Sequence, residues 1–200
     1  LGSVYAALGS RVTVVEMTEG LLPGVDRDLV SVLSRRLQSR FEGLLLRTTV
    51  TALRPRKDGV KVTLRGKEGR DEERAFDRVL VAVGRAPNST DLGLENTRVK
   101  VGERGFIETD ARRETAEPGI YAIGDVAGDP MLAHKATAEG RVAVEAIAGE
   151  PVTFDPRAIP AVVFTDPEIA WCGATEIELR RDKRPYKAAK FPWGASGRAA

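Results

Sequence analysis

Cysteine and histidine are almost missing from this sequence, which has one of each, Cys172 and His134. A single cysteine excludes an internal disulfide and a thiolate metal cluster, and one histidine leaves a transition metal short of donors, so no metal site is expected. Aromatic residues make up 6% and nowhere interleave with a basic run, while 31 Lys plus Arg are offset by 29 Asp plus Glu. A nucleic-acid surface is therefore not expected, and Arg35-Arg36 and Arg180-Arg181 read as solvated helix faces. Long apolar runs are also missing, none approaching the ~20 residues of a membrane helix. No membrane role is expected. The lone cysteine is compatible with a reducing compartment without demonstrating one, and a cytoplasmic location is expected. What is present, 42% hydrophobic and 30% charged residues over 200 positions, fits a folded chain of one or two domains.

The opening "LGSVYAALGS" reads as the body of a helix, with Val4, Tyr5 and Leu8 on one face and Gly9 as its stop. "RVTVVEM" follows as a buried parallel strand closing on Glu16. Helix, glycine, strand and terminal acid form the second half of a βαβ unit. In dinucleotide-binding units the glycine-rich turn lies roughly 20 residues before that acid, which from Glu16 falls before Leu1. The chain is therefore expected to be an internal piece of a longer polypeptide.

Residues 26–39 carry Leu29, Val32, Leu33 and Leu37 at helical spacing behind Asp26, a candidate N-cap. "LLLRTTVTALRPRKDGVKVTL" alternates, turns at Lys57-Asp58-Gly59 and alternates again, a hairpin continued by "GKEGRDEERAF". "FDRVLVAVGRAPN" reads as a continuous apolar strand ending on Gly84, and "GIYAIGD" as another ending on Asp125. Lys135 to Ala148 is a helix, with Ala136, Val142, Ala143 and Ile147 available for packing and Gly149 at its end. A proline-rich linker follows, then short strands "AVVF", "IAWCG" and "YKAAKF" around a helix near Thr175 to Arg181.

Three apolar strands thus end on Glu16, Gly84 and Asp125, where open α/β sheets bind ligands. A carboxylate at Glu16 suits the two ribose hydroxyls of an adenosine and repels a 2′-phosphate, selecting NAD over NADP; the other reading is a solvated strand-end acid. Gly84 lets backbone approach a ligand, or is a turn glycine before Pro87. Asp125 suits a polyol hydroxyl beside Gly124, or orders the "GDVAGDP" loop. Met131 to His134 open a helix whose N–H groups favour negative charge nearby, as on a reduced flavin. His134 reads as positional rather than catalytic: no carboxylate at close spacing makes a dyad with it, Glu139 being five residues on. Cys172 reads as buried and inert.

"AVGRAPN", "GIYAIGDVAGDPMLAHKATAEG", "IPAVVFTDPEIAWCGATE" and "FPWGASGRAA" occur in this order, and with them the chain resembles the flavin-dependent pyridine-nucleotide disulfide oxidoreductases. Within that family "VTVVEM", "GDVAGDPMLAHKA" and "TDPEIAWCG" are most similar to the lipoamide-oxidising branch. The resemblance implies an α/β fold: a partial Rossmann-type NAD-binding domain over residues 1–84, a second FAD-binding segment over 85–150, and the start of an α+β dimerisation domain over 151–200. It implies that Asp125 binds the ribitol of FAD with Met131, Leu132, Ala133 and His134 along the flavin, and that Glu16, Val50 and Gly84 contact NAD. The implied reaction oxidises dihydrolipoamide, carried on an acyltransferase subunit of a 2-oxoacid dehydrogenase complex, through a homodimer. The family's redox cysteine pair, its first FAD glycine motif and its catalytic His-Glu pair match nothing here, so no catalytic residue is assigned and these residues alone are expected to be inactive. A mercuric reductase, a soluble transhydrogenase and a non-catalytic nucleotide-binding module are the alternatives.

Overall fold

The computed structural model describes residues 1–198. It has two compact units, Leu1–Arg78 with the residues from Val162 onward, and Val79–Ala161.

The first unit begins with helix α1 (Gly2–Ala7), ended by Gly9 at φ +94, and strand β1 (Thr13–Val15). Helix α2 (Arg27–Gln38) then carries the chain across to β2 (Gly43–Leu45), which pairs parallel to β1 with Val14 opposite Leu44. Parallel neighbours need such a crossover, so β1-α2-β2 is a βαβ unit, one that follows the half-unit of α1 and β1 read from the sequence. The inner face of α2 is Val30, Leu33 and Leu37, packed with Val25, Phe41, Ile169 and Trp171. Leu33 is 1% exposed, and its truncation to alanine removes contacts worth about 2–5 kcal/mol. The face expected from spacing is thus rotated: Leu29 and Val32 lie on the exposed side, because the core partners approach from the Val30 side. The apolar residues of α1, Val4, Tyr5 and Leu8, are exposed.

Strands β3 (Thr49–Arg56), β4 (Gly59–Arg65) and β5 (Asp71–Phe76) form an antiparallel meander. Gly59 is obligatory at the first turn, since a Cβ there would lie 2.5 Å from the Phe76 carbonyl oxygen and φ is +154. Alternation buries Val62 and Leu64 on one face of β4, while Arg65 and Asp71, directly opposed, pair through two bonds of 2.7 and 3.0 Å. The unit closes with β6 (Ala161–Val163) paired to β7 (Ile169–Trp171), then α4 (Glu176–Arg181). Thr175 caps α4 and exchanges hydrogen bonds with Glu178 in a capping box. Cys172, expected to be buried, is exposed just beyond β7. "YKAAKF" forms no strand.

In the second unit the two expected apolar strands are not strands. Residues 79–83 make no ladder and Val83 is 93% exposed; residues 119–123 make one bridge, Tyr121 to Glu114. An apolar run becomes a strand only where neighbouring backbone satisfies its N–H and C=O groups, and among the described residues no strand flanks either run. Helix α3 (Ala133–Ile147) organises the unit. It buries Ala143 and Ala146, but also Lys135 and Glu139, while Val144 and Ile147 face outward.

Candidate cofactor-binding residues

Glu16 follows β1 directly, and its backbone continues the parallel ladder: its N–H donates to the Leu45 carbonyl at 2.9 Å and its carbonyl accepts the Thr48 N–H at 3.0 Å. The carboxylate is oriented by the chain that leaves the strand, since Oε1 accepts the Thr18 N–H at 2.7 Å. Among the described residues Oε2 has no hydrogen-bond partner, and the residue is half-buried. Val50 stands two residues beyond Thr48 on β3, exposed, so Glu16 and Val50 share one end of this unit. Glu16 offers an oriented acceptor and Val50 an exposed apolar side chain, groups of the kind that ribose and adenine require. Gly2 was not singled out by sequence, yet a Cβ there would lie 3.2 Å from the Phe41 ring. It allows α1 to sit close to its neighbours, the role of a small residue in a dinucleotide-binding helix.

Gly84 and Asp125 belong to the second unit. Gly84 has φ +141 and open space around its Cα, a conformation that side chains rarely adopt. The next residue, Arg85, donates from Nη1 to Asp125 Oδ2 at 3.0 Å. Both side chains are well exposed, 65% and 45%, so the pair is weak and its carboxylate can exchange partners.

Asp125 sits in a single 3-10 turn, Gly124–Val126, entered from extended backbone at Ile123. Gly124 has φ +75, and a Cβ on it would be 3.0 Å from the Ala136 methyl on α3. Only glycine fits between the loop and the helix. Met131 and Leu132 are half-buried at the head of α3, Ala133 and His134 exposed in its first turn, and no side chain caps the helix. Its first N–H groups therefore lack a side-chain acceptor at the positive end of the helix dipole. His134 Nε2 donates to the Pro160 carbonyl at 2.7 Å. A close-packed glycine, a half-exposed carboxylate and an uncapped helix end fit an extended, hydroxyl-bearing anion such as the polyol and phosphates of FAD.

Sequence reasoning passed over the charges beneath this loop. Glu139, fully buried, accepts the Gly124 N–H on Oε2 at 2.7 Å. Lys135, one turn earlier and 3.2 Å from the same oxygen, donates to the carbonyls of Gly124 at 3.0 Å and Gly128 at 2.8 Å. Arg113, at φ +69, completes the cluster from Nη1 to Glu139 Oε1 at 3.1 Å and lies over the Phe154 ring. The signal was present in the sequence: 135, 139, 143 and 146 share one helical face, so a lysine and a glutamate stand in phase with two packed alanines.

Residues 1–140 match the family described as pyridine nucleotide-disulphide oxidoreductase, and residues 159–200 match the dimerisation domain of that family. Among curated relatives, dihydrolipoyl dehydrogenase from Haemophilus influenzae is 47% identical over 199 residues and that from Thermus scotoductus 48% over 202. Each match covers all of this chain but only 41% and 43% of the relative. The crystal structure of LpdA from Mycobacterium tuberculosis superposes with a TM-score of 0.78 at 32% identity, covering 90% of this chain and 39% of that one. The flavoprotein disulfide reductase RclA from Escherichia coli superposes with a TM-score of 0.83 at 27% identity, covering 98% and 45%. With its βαβ unit, its glycine-aspartate loop on α3 and this agreement along the whole chain, the protein belongs to the pyridine nucleotide-disulphide oxidoreductase family.

Proposed function

We propose that these residues are the NAD-binding and second FAD-binding portions, with the start of the dimerisation domain, of a flavoprotein that oxidises dihydrolipoamide to lipoamide with NAD. The division is 1–84 for NAD, 85–150 for FAD and 151–200 for the interface, in a cytoplasmic homodimer whose substrate is carried on an acyltransferase subunit. The observation that carries this reading is the Gly124-Asp125 loop, held from below by buried charge and open above at the uncapped end of α3. The identity to dihydrolipoyl dehydrogenases supports the choice of substrate.

When bound, FAD supplies a two-electron relay between a dithiol-disulfide couple and nicotinamide. The residues here bind and orient. Asp125 accepts from polyol hydroxyls, exchanging its exposed contact with Arg85. The head of α3 offers N–H groups and a positive dipole to negative charge. Glu16, held by the Thr18 N–H, presents its second oxygen to ribose hydroxyls and repels a 2′-phosphate, which selects NAD. Neither Cys172 alone nor His134, tied to Pro160, supplies the redox dithiol or a base for it.

The test is dihydrolipoamide-dependent NADH formation by the full-length protein with FAD bound. Turnover with NAD, and little with NADP, is the expected result. Reduction of mercuric ion by NADPH, or hydride exchange between nicotinamides without dihydrolipoamide turnover, would assign the protein elsewhere in the family; failure to retain FAD would reduce it to a nucleotide-binding module.

A further inference from the structure

The buried charges under the Gly124–Gly128 loop are not placed as a stabilising pair would be on a surface. Lys135 and Glu139 grip opposite sides of one residue: Glu139 holds the Gly124 N–H, and Lys135 holds the Gly124 carbonyl. Lys135 also holds the Gly128 carbonyl. A single ammonium therefore ties together the two ends of the five-residue loop that carries Asp125. Burial of Lys135 and Glu139 carries a large desolvation penalty, yet apolar side chains would leave these backbone groups unsatisfied.

We infer that Lys135 and Glu139 are positioning residues for flavin binding, fixing the loop so that the Asp125 carboxylate meets the polyol of FAD in one orientation. The inference rests on the flavin reading above. The cluster holds one carboxylate between two cations, 3.1 Å from Arg113 and 3.2 Å from Lys135. This arrangement orders the consequences of substitution. Removing the lysine charge leaves Glu139 neutralised by Arg113, a pair that stays balanced. Removing the glutamate charge leaves two cations facing each other in a buried space, the more disruptive change.

The experiment uses the FAD-loaded full-length protein and its Lys135→Met, Asp125→Ala and doubly substituted variants. FAD dissociation constants are read from flavin fluorescence and NAD dissociation constants by calorimetry. Lys135→Met is expected to weaken FAD at least tenfold and leave NAD affinity within twofold, because Glu16 and Val50, proposed for the ribose and adenine, lie on a different unit and Gly84, on the same unit, is not bonded to Lys135. If Lys135 acts through Asp125, the double variant loses less affinity than the product of the two single losses. FAD affinity within twofold of wild type in Lys135→Met overturns the inference while the flavin reading stands, and so does an equal loss of FAD and NAD, which marks general loosening. Failure of the wild type to bind FAD overturns the flavin reading itself and the inference with it. If Lys135→Met does not fold, hydrogen exchange of the wild-type holoprotein decides. A Gly124 amide much slower than its loop neighbours supports a clamp, and one exchanging at the rate of its neighbours overturns it.

Discussion

Asp26 caps a helix other than its own. It stands at the N-terminus of α2, yet no bond runs from its side chain to that helix; its two carboxylate oxygens instead accept the N–H groups of Glu176 and Ile177 at 3.0 and 3.1 Å. With the Thr175-Glu178 capping box, this satisfies the donors at the start of α4 and sets a negative charge at its positive dipole end. The contact joins residues 150 positions apart in sequence, within one compact unit.

Asp26→Ala is expected to destabilise this unit by about 1 kcal/mol, the usual cost of a lost cap. Urea denaturation measures it, and hydrogen exchange should quicken at Glu176 and Ile177 while the amides of α2 stay protected. Faster exchange in α2 instead would show that Asp26 serves its own helix.

Gly124→Ala combines a φ of +75 with a methyl placed 3.0 Å from that of Ala136. The left-handed conformation alone costs roughly 1–2 kcal/mol, and the contact adds to it. A lower melting temperature together with loss of bound FAD is the expected outcome, checked by calorimetry and the visible spectrum of the purified protein.

Glu16→Ala removes the charged acceptor proposed for the ribose hydroxyls, and hydrogen bonds to a charged group are worth roughly 1.5–3 kcal/mol. NAD affinity should fall by about tenfold or more, while NADP affinity holds or improves, narrowing the preference. Steady-state kinetics with both cofactors check this, and an unchanged ratio would remove Glu16 from the specificity argument.

Glu117 gives a pH dependence. Hydrogen bonds from the Arg98 guanidinium, and then from the Arg98 backbone N–H, hold its carboxyl below the ordinary carboxylate range. A depressed folded-state value means that the unfolded chain takes up the proton first as pH falls. The contribution is therefore complete above the unfolded value of about 4.3 and is lost as pH drops through the lower folded value. Glu117→Gln should flatten the acid limb of stability against pH below about 4 and leave the slope near neutrality unchanged; acid titration followed by circular dichroism tests it.

Much of the first unit was legible in order along the chain. Val and Thr in succession, a glycine stop and a 3.6-residue period carry their own local geometry, and α1, β1, α2, the hairpin turn and α4 lie where those signals put them. Asp125 ahead of a helix start was legible for the same reason, because glycine, acid and the start of α3 fall within the ten residues 124–133. The runs at 79–83 and 119–123 were read as strands from their apolar content alone, but pairing is a property of neighbours, which composition does not contain. Cys172 was judged by residue type, and exposure depends on what packs against it.

The sequence by itself determined the local elements and singled out the strand-end and helix-start groups proposed to face cofactors, since helix period, turn chemistry and strand-end acids are set by residues within a few positions of one another. Tertiary structure alone decided which face of α2 is buried, that Asp26 serves α4, and that Arg113 joins Lys135 on the Glu139 carboxylate beneath Gly124. Those outcomes depend on burial and on hydrogen-bond partners far along the chain, and a buried charge is stable only where folding delivers its counter-charge.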